Sequence, residues 1–449
     1  MNGRRLRLMP SLGPLPQLPR LVSSERQLRS GLRVVAVQHG DCSLTEIRLW
    51  VPLHGLDSSE VPTALLGSQA LSAGTSDQTR AELSLGVRSL GGELRVNADP
   101  DRLLITGSVI SSRLGAMLEI IAQVLADATY PEAEVDRIRD ILADQLALAG
   151  AAPNSQAHQS LMRRLYGGHP YADQVPSPAA IRQVSDARLR TFHTDHFRPA
   201  GAVLVLLGGE EPDSVLARAT TAFGCWTGGD PQAGRPGPVD AAPGPPLLVD
   251  MPGSTEALIR LGGLWAPRGR REWAAVEIAN LIFGGYFSSR LVRSLRENKG
   301  FCYGPSSSVE HWAAGSSFVV QANVPSRSTL AALQEINNEL YGMLDRPPGR
   351  LEHEEARDYA CGRLLLAFSD QANLATMITV NVGRGIGACG LHNDYGELAG
   401  ATLDDVQEAA RRTMDPGRLV TVISGAADEL ESCRATLGAV PWDGRTIRW

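Results

Sequence analysis

The chain has 449 residues, of which 43% are hydrophobic and 20% charged, a length and balance that suit a globular protein with more than one buried core. A net charge of −6 and no basic stripe leave no electrostatic case for a nucleic-acid partner. Six scattered cysteines (Cys42, Cys225, Cys302, Cys361, Cys389 and Cys433) form no C-x-x-C pair, which argues against a zinc knuckle or a thioredoxin-like site and for free thiols in a reducing compartment.

Residues 1–22 read as a flexible lead. Their basic start is followed by Pro10, Pro14, Pro16 and Pro19, with no apolar core of a signal peptide. No run of 18 apolar residues occurs, so the expectation is a cytoplasmic protein with no membrane partner. The first half, 23–227, opens on strand-like runs at 32–37 and 45–51, then a helical stretch at 63–71 and the tetrad Val87-Arg88-Ser89-Leu90. A strand pair ends at 103–109, and Ser112-Arg113 leads into an amphipathic helix at 114–125. The half closes on a buried strand at 202–207, preceded by the capped helix start Val184-Ser185-Asp186. Residues 228–246 are rich in Pro and Gly without periodicity and read as a linker.

The second half, 247–449, repeats the order: strands at 247–249 and 257–264, a helix at 273–282, and Val292-Arg293-Ser294-Leu295. A strand at 316–324, Ser326-Arg327, a helix at 330–340, the helix start Ala401-Thr402-Leu403-Asp404 and a buried strand at 419–423 follow. Shared order at this length points to duplication of one α+β unit, two unrelated α+β domains being the other reading.

Four segments carry a resemblance. They are Gly284-Gly285-Tyr286-Phe287-Ser288-Ser289-Arg290-Leu291, Leu295-Arg296-Glu297-Asn298-Lys299-Gly300-Phe301-Cys302-Tyr303-Gly304, His169-Pro170-Tyr171, and Phe197-Arg198-Pro199. Together they resemble the insulinase/pitrilysin-like metallopeptidases, on the mitochondrial-processing-peptidase-like branch, over about residues 25–440. The resemblance implies two homologous α+β domains, each a mostly antiparallel sheet packed with helices. The family's zinc motif is an inverted H-x-x-E-H on the first long helix, with two histidines and a distal glutamate as ligands and the intervening glutamate as general base. Counted back from Gly74-Thr75, the histidine positions hold Leu65 and Gln69, the base position holds Ser68, and the distal position falls near Asp144. Leu cannot ligate zinc and Ser is no general base, so no catalytic residue and no metal is expected in this chain.

The same resemblance assigns Arg296 and Tyr303 to substrate binding, as donors to the peptide backbone and to the tetrahedral intermediate. Locally, 292–296 reads as a helix end, Gly300 as its left-handed stop and 301–303 as the start of a strand. Outside the family context, Arg296 reads as a helix cap and Tyr303 as packing. Gly284-Gly285 reads equally as a close approach to substrate or a plain turn. The implied role is the non-zinc subunit of a heterodimeric endopeptidase that cuts unfolded peptides or leader peptides, with zinc in a homologous H-x-x-E-H partner. A scaffolding or peptide-binding subunit without a catalytic role is the alternative. The pair His193 and His196, with Asp195 between, has metal-like spacing but no third ligand and reads as surface or packing histidines. His353-Glu354-Glu355 reads as a solvated helix start.

Overall fold

The computed structural model describes residues 13, 15–53, 55–228, 244–265, 272–438 and 440–441. Most of the expected linker, 229–243, and the start of the expected lead, 1–12 and 14, lie outside the described residues. The rest of that lead is not loose. Leu18 is buried, and Pro16 and Pro19 accept hydrogen bonds through their carbonyls from Tyr395 and His392 on the helix Gly390–Gly400.

The chain forms two six-stranded sheets. The first is built from β1 (Val22–Gln27), β2 (Arg33–Gln38), β3 (Leu44–Pro52), β4 (Glu93–Asp99), β5 (Arg102–Ile110) and β6 (Val203–Gly208), in the spatial order β1-β2-β6-β3-β5-β4. The second uses β7 (Leu247–Asp250), β8 (Glu256–Trp265), β9 (Ser306–His311), β10 (Ser316–Pro325), β11 (Val420–Gly425) and β12 (Val440–Pro441), in the order β12-β7-β11-β8-β10-β9. Five strands occupy equivalent places in the two sheets. In each, the second strand from one edge runs parallel to the late strand (β2 with β6, β7 with β11), and the other central pairings are antiparallel. The sixth strand differs: β1 comes from the chain's start and pairs antiparallel, whereas β12 comes from its end and pairs parallel. The continuous apolar run of β6 is buried at every position, because both of its faces are covered. By contrast, β5 alternates buried and half-buried residues with the period of two that a strand imposes.

Helices cover the sheets, and the two halves exchange cover. In the first half α1 (Val61–Ala70), α2 (Arg80–Ser89), α3 (Leu114–Asp127), α4 (Glu132–Ala151) and α5 (Pro153–Tyr166) follow in turn. Thr79 and Glu82 open α2 with a reciprocal capping box, which satisfies two otherwise unpaired amides. Helix α5, though part of the first half's sequence, packs on β8 and β11 of the second sheet; the helix Gln371–Gly383 packs on β3 and β6 of the first.

A buried arginine receives each exchanged helix. Arg48 on β3 donates to Ala372 O and Thr376 Oγ1 of the incoming helix, at 3.0 and 3.1 Å. Arg260 on β8 donates to Asn154 Oδ1 of α5 at 2.7 Å. Each also bonds the carbonyl of its own preceding residue at 2.9 Å, and the two stand at equivalent rungs, Arg48 opposite Val205 and Arg260 opposite Val422.

A second junction uses Tyr171. Its hydroxyl donates to Asp101 Oδ1 at 2.5 Å and accepts from Ala314 N at 3.1 Å, while Asp101 Oδ2 accepts from Ala313 N at 2.7 Å. The Tyr171 ring stacks on Trp312 with centroids 4.9 Å apart. His169 Nδ1 accepts from Tyr171 N, so the His-Pro-Tyr segment joins the β4–β5 turn of one sheet to the β9–β10 turn of the other.

Candidate functional site

Helix α1 lies across β4, and its second and third turns carry the three motif positions. Leu65 is half-buried against a cluster that includes Leu66, Ala70, Tyr130, Val135, Ile138 and Leu142. Ser68 is buried, and its hydroxyl donates to Leu65 O at 2.7 Å. Gln69 is exposed on α1, but its amide donates to Val96 O at 3.0 Å and to Asn97 Oδ1 at 3.3 Å on β4.

Asp144 does not join them. It is 78% exposed and accepts from Arg182 at 2.9 Å. Residues 100° apart on a helix rotate quickly off a face: α4 turns Val135, Ile138 and Leu142 inward, and Leu146 packs half-buried against the same cluster as Leu65. A cleft of about 510 Å³ remains between α1, α2 and β4, lined by Ser68, Gln69, Ser84, Arg88, Glu93 and Arg95 among others. The residues at this turn do not fit a zinc ion. One is aliphatic, one hydroxyl and one amide are engaged with neighbouring backbone, and the carboxylate points elsewhere. Among the described residues no cluster of three His, Cys, Asp or Glu side chains is placed to hold a metal.

The lip of the second half is built differently. Ser289 caps the turn Arg290–Val292, accepting from Val292 N. The turn widens into a π-helical segment, Arg293–Asn298, and closes where Lys299 N bonds Ser294 O and Phe301 N bonds Leu295 O. Gly300 supplies the positive φ of +63° this closure needs. The helix therefore runs past the expected end at Arg296. No strand starts at 301–303 either: β9 begins at Ser306, and Tyr303 stands in the connecting loop.

Tyr303 is 92% exposed, and no described residue bonds its hydroxyl. The Arg296 guanidinium sits 4.1 Å above the Phe287 ring and donates to Glu297 Oε1 at 2.9 Å. Phe287, within the segment Gly284-Gly285-Tyr286-Phe287, is itself 71% exposed, and nothing in its spacing along the chain marks it. The motif's Arg290 is structural. It grips Glu352 through two bonds of 2.8 and 2.7 Å, and these hold the carboxyl below its ordinary pKa range.

Gly284 and Gly285 resolve as packing. A Cβ on Gly284 would stand 2.6 Å from Ser307 Oγ, and one on Gly285 would stand 2.7 Å from the Asn280 amide nitrogen.

The histidines are engaged inside the fold. His193 bonds the Tyr130 hydroxyl and Leu125 O, both at 2.9 Å, and burial pulls its pKa below the ordinary 6.5. His196 stacks on Phe192. His353 is not solvated, as expected of a helix start, but buried with Nε2 3.0 Å from Ala401 O, while Glu354 pairs with Arg350 on the surface.

Residues 63–179 match the family model described as Insulinase (Peptidase family M16), and residues 183–359 match Peptidase M16 inactive domain. An uncharacterized zinc protease of Mycobacterium tuberculosis is 24% identical over 328 residues, covering 71% of this chain and 74% of that protein. One from Streptomyces coelicolor is 23% identical over 438 residues and 90% of each chain. The human mitochondrial-processing peptidase subunit beta is 24% identical over 200 residues, 44% of this chain and 41% of its own. Among solved structures, a peptidase M16 inactive domain from Pseudomonas fluorescens superposes with a TM-score of 0.82 at 21% identity, over 90% of this chain and 98% of that one. A protease from Helicobacter pylori reaches 0.84 at 16% identity, over 91% and 100%. The solved structures show the shared fold, and the two adjoining family models, which together run over residues 63–359, show that the chain belongs to the M16, or insulinase, peptidase family.

Proposed function

We propose that this chain is the non-zinc subunit of a heterodimeric zinc endopeptidase, acting on unfolded peptides or leader peptides. Arg296 and Tyr303 reach an extended substrate held at the zinc site of a homologous H-x-x-E-H partner. The observation that carries the reading is the pairing of an idle motif turn with an exposed donor lip. Leu65, Ser68 and Gln69 are committed to the fold, whereas Tyr303 is 92% exposed and Arg296 rests on the 71% exposed ring of Phe287.

A guanidinium and a phenol both donate to carbonyl oxygen, and each such donor aimed at a developing oxyanion contributes about 3–4 kcal/mol to the transition state. The zinc ion and the general base would belong to the partner. Relatives named as zinc proteases and as a processing-peptidase subunit support the class of reaction. Six free cysteines agree with a cytoplasmic location, and no described helix is long and apolar enough to cross a membrane.

The test is reconstitution. The chain and a zinc-bearing H-x-x-E-H homologue are purified separately, then mixed with an unfolded peptide. Cleavage should depend on both chains and on the partner's zinc. Full cleavage by the partner alone would remove the reading, and a stable complex whose cleavage ignores this chain would favour a scaffold.

A further inference from the structure

The outer strand of each sheet is held at the same rung. Val96 on β4 pairs with Ile105, which pairs with Leu49; Ser307 on β9 pairs with Val320, which pairs with Leu261. Leu49 and Leu261 each follow the buried arginine of their sheet, so Val96 and Ser307 are equivalent.

Hairpin geometry fixes where their backbone groups point. The two-residue turn between Asp99 and Arg102 makes that pair hydrogen-bonded, and bonded pairs alternate along an antiparallel ladder. Leu94, Val96 and Ala98 therefore turn N–H and C=O away from β5, toward the open edge. In β9 the bond from Trp312 N to Gly315 O sets the same alternation and turns Ser307 outward.

An outer edge of this kind accepts an extended peptide as an added strand, unless something occupies it. On β4 the outward carbonyl of Val96 is occupied by the Gln69 amide at 3.0 Å. On β9 the backbone of Gly284 lies against Ser307, where an added Cβ would come within 3.0 Å of Ser307 N, and Asn280 Oδ1 accepts from Ser307 Oγ at 2.6 Å.

We propose that Gln69 is a clasp that closes the β4 edge to strand addition, and that Gly284 closes the β9 edge at the equivalent rung. The position that resembles a ligand site thus has a second use. Val96 is the middle of three outward rungs, and among the described residues no group bonds the outward amides or carbonyls of Leu94 and Ala98. Blocking the middle rung leaves two isolated ones, too few for a paired strand. An extended peptide meets this chain through side chains alone, and its strand pairing is left to another chain. Of the two closures only the β4 clasp is a single flexible side chain, so it is the one a substitution opens.

The test uses the full chain and a fluorescein-labelled peptide of about ten residues with alternate apolar positions. Affinity is read by anisotropy for wild type, Gln69→Ala and Gln69→Glu, each also carrying Arg296→Ala and Tyr303→Phe to silence the lip. Removing the clasp should tighten binding about fivefold, the gain of one exposed rung, and the gain should persist in the lip-silenced chains. Equal affinity in folded variants would overturn the proposal. So would loss of cooperative folding in both variants, which would make Gln69 a structural tie. A gain that vanishes when the lip is silenced would place the peptide at the lip, and would also overturn it.

Discussion

The two halves share a plan but commit their polar side chains differently. In the first half the polar groups of β3 and α1 bond the fold itself. Arg48 is paired with half-buried Glu46 at 2.8 Å, Ser68 bonds its own helix, and Gln69 bonds β4. In the second half, among the described residues, Arg260 is held by the amide oxygens of Asn154 and Asn323 and by Ile259 O, and burial pulls its pKa down to about 10. There the lip leaves Tyr303 and Phe287 exposed, with Arg296 resting on the latter. The difference teaches that duplicated scaffolds can carry one half as structure and the other as contact surface, on matching strands and helices.

The strongest way to break this comparison is at the two arginines. Arg48→Met leaves the Glu46 carboxylate, whose side chain is 12% exposed, without its partner and should cost about 3–5 kcal/mol in chemical denaturation. Arg260→Met leaves the neutral oxygens of Asn154, Asn323 and Ile259 unpaired and should cost about 1–3 kcal/mol. Equal losses would show that the ion pair does not distinguish the halves. At the junction, Tyr171→Phe removes the shared hydroxyl from Asp101 and Ala314 and should lower stability by about 1–3 kcal/mol, read by the same titration.

A smaller effect concerns pH. The folded-state pKa of His193 lies below its ordinary 6.5, because burial disfavours the charged ring. The unfolded chain therefore binds the proton first. The stability that neutral His193 contributes is present above 6.5 and declines as pH falls through that value toward the folded pKa. Melting temperature should drop over that window in wild type and less in His193→Gln. The smallest effect belongs to the lip: Tyr303→Ala should change stability by less than about 0.5 kcal/mol, because so little of the side chain is buried.

How much of this was legible beforehand follows from what each residue senses. The apolar run of β6 and the alternation of β5 announce strands, since burial on two faces or one imposes those patterns directly. The strand β1, Val-Ser-Ser-Glu-Arg-Gln, is exposed or half-exposed throughout and is held by backbone pairing to β2, which leaves no hydrophobic signal. The exchange of α5 and Gln371–Gly383 was also hidden: an apolar helix face shows that a sheet is covered, not which sheet. At the candidate site, Leu65, Ser68 and Gln69 lie near one another on α1, as i, i+3 and i+4 positions of a helix must. Asp144 sits outward because its neighbours at 142 and 146 hold the inward face of α4. Gln69's bond to Val96 and Phe287's place under Arg296 depend on long-range geometry that spacing along the chain does not encode.

The central claim is that the second half's lip supplies donors to a partner's zinc site. It is tested most directly by kcat for peptide cleavage in the complex with a zinc-bearing homologue, comparing wild type with Arg296→Ala. The account predicts a fall of about 10²- to 10³-fold in kcat with assembly of the complex unchanged. An unaltered kcat in a fully assembled complex would contradict it.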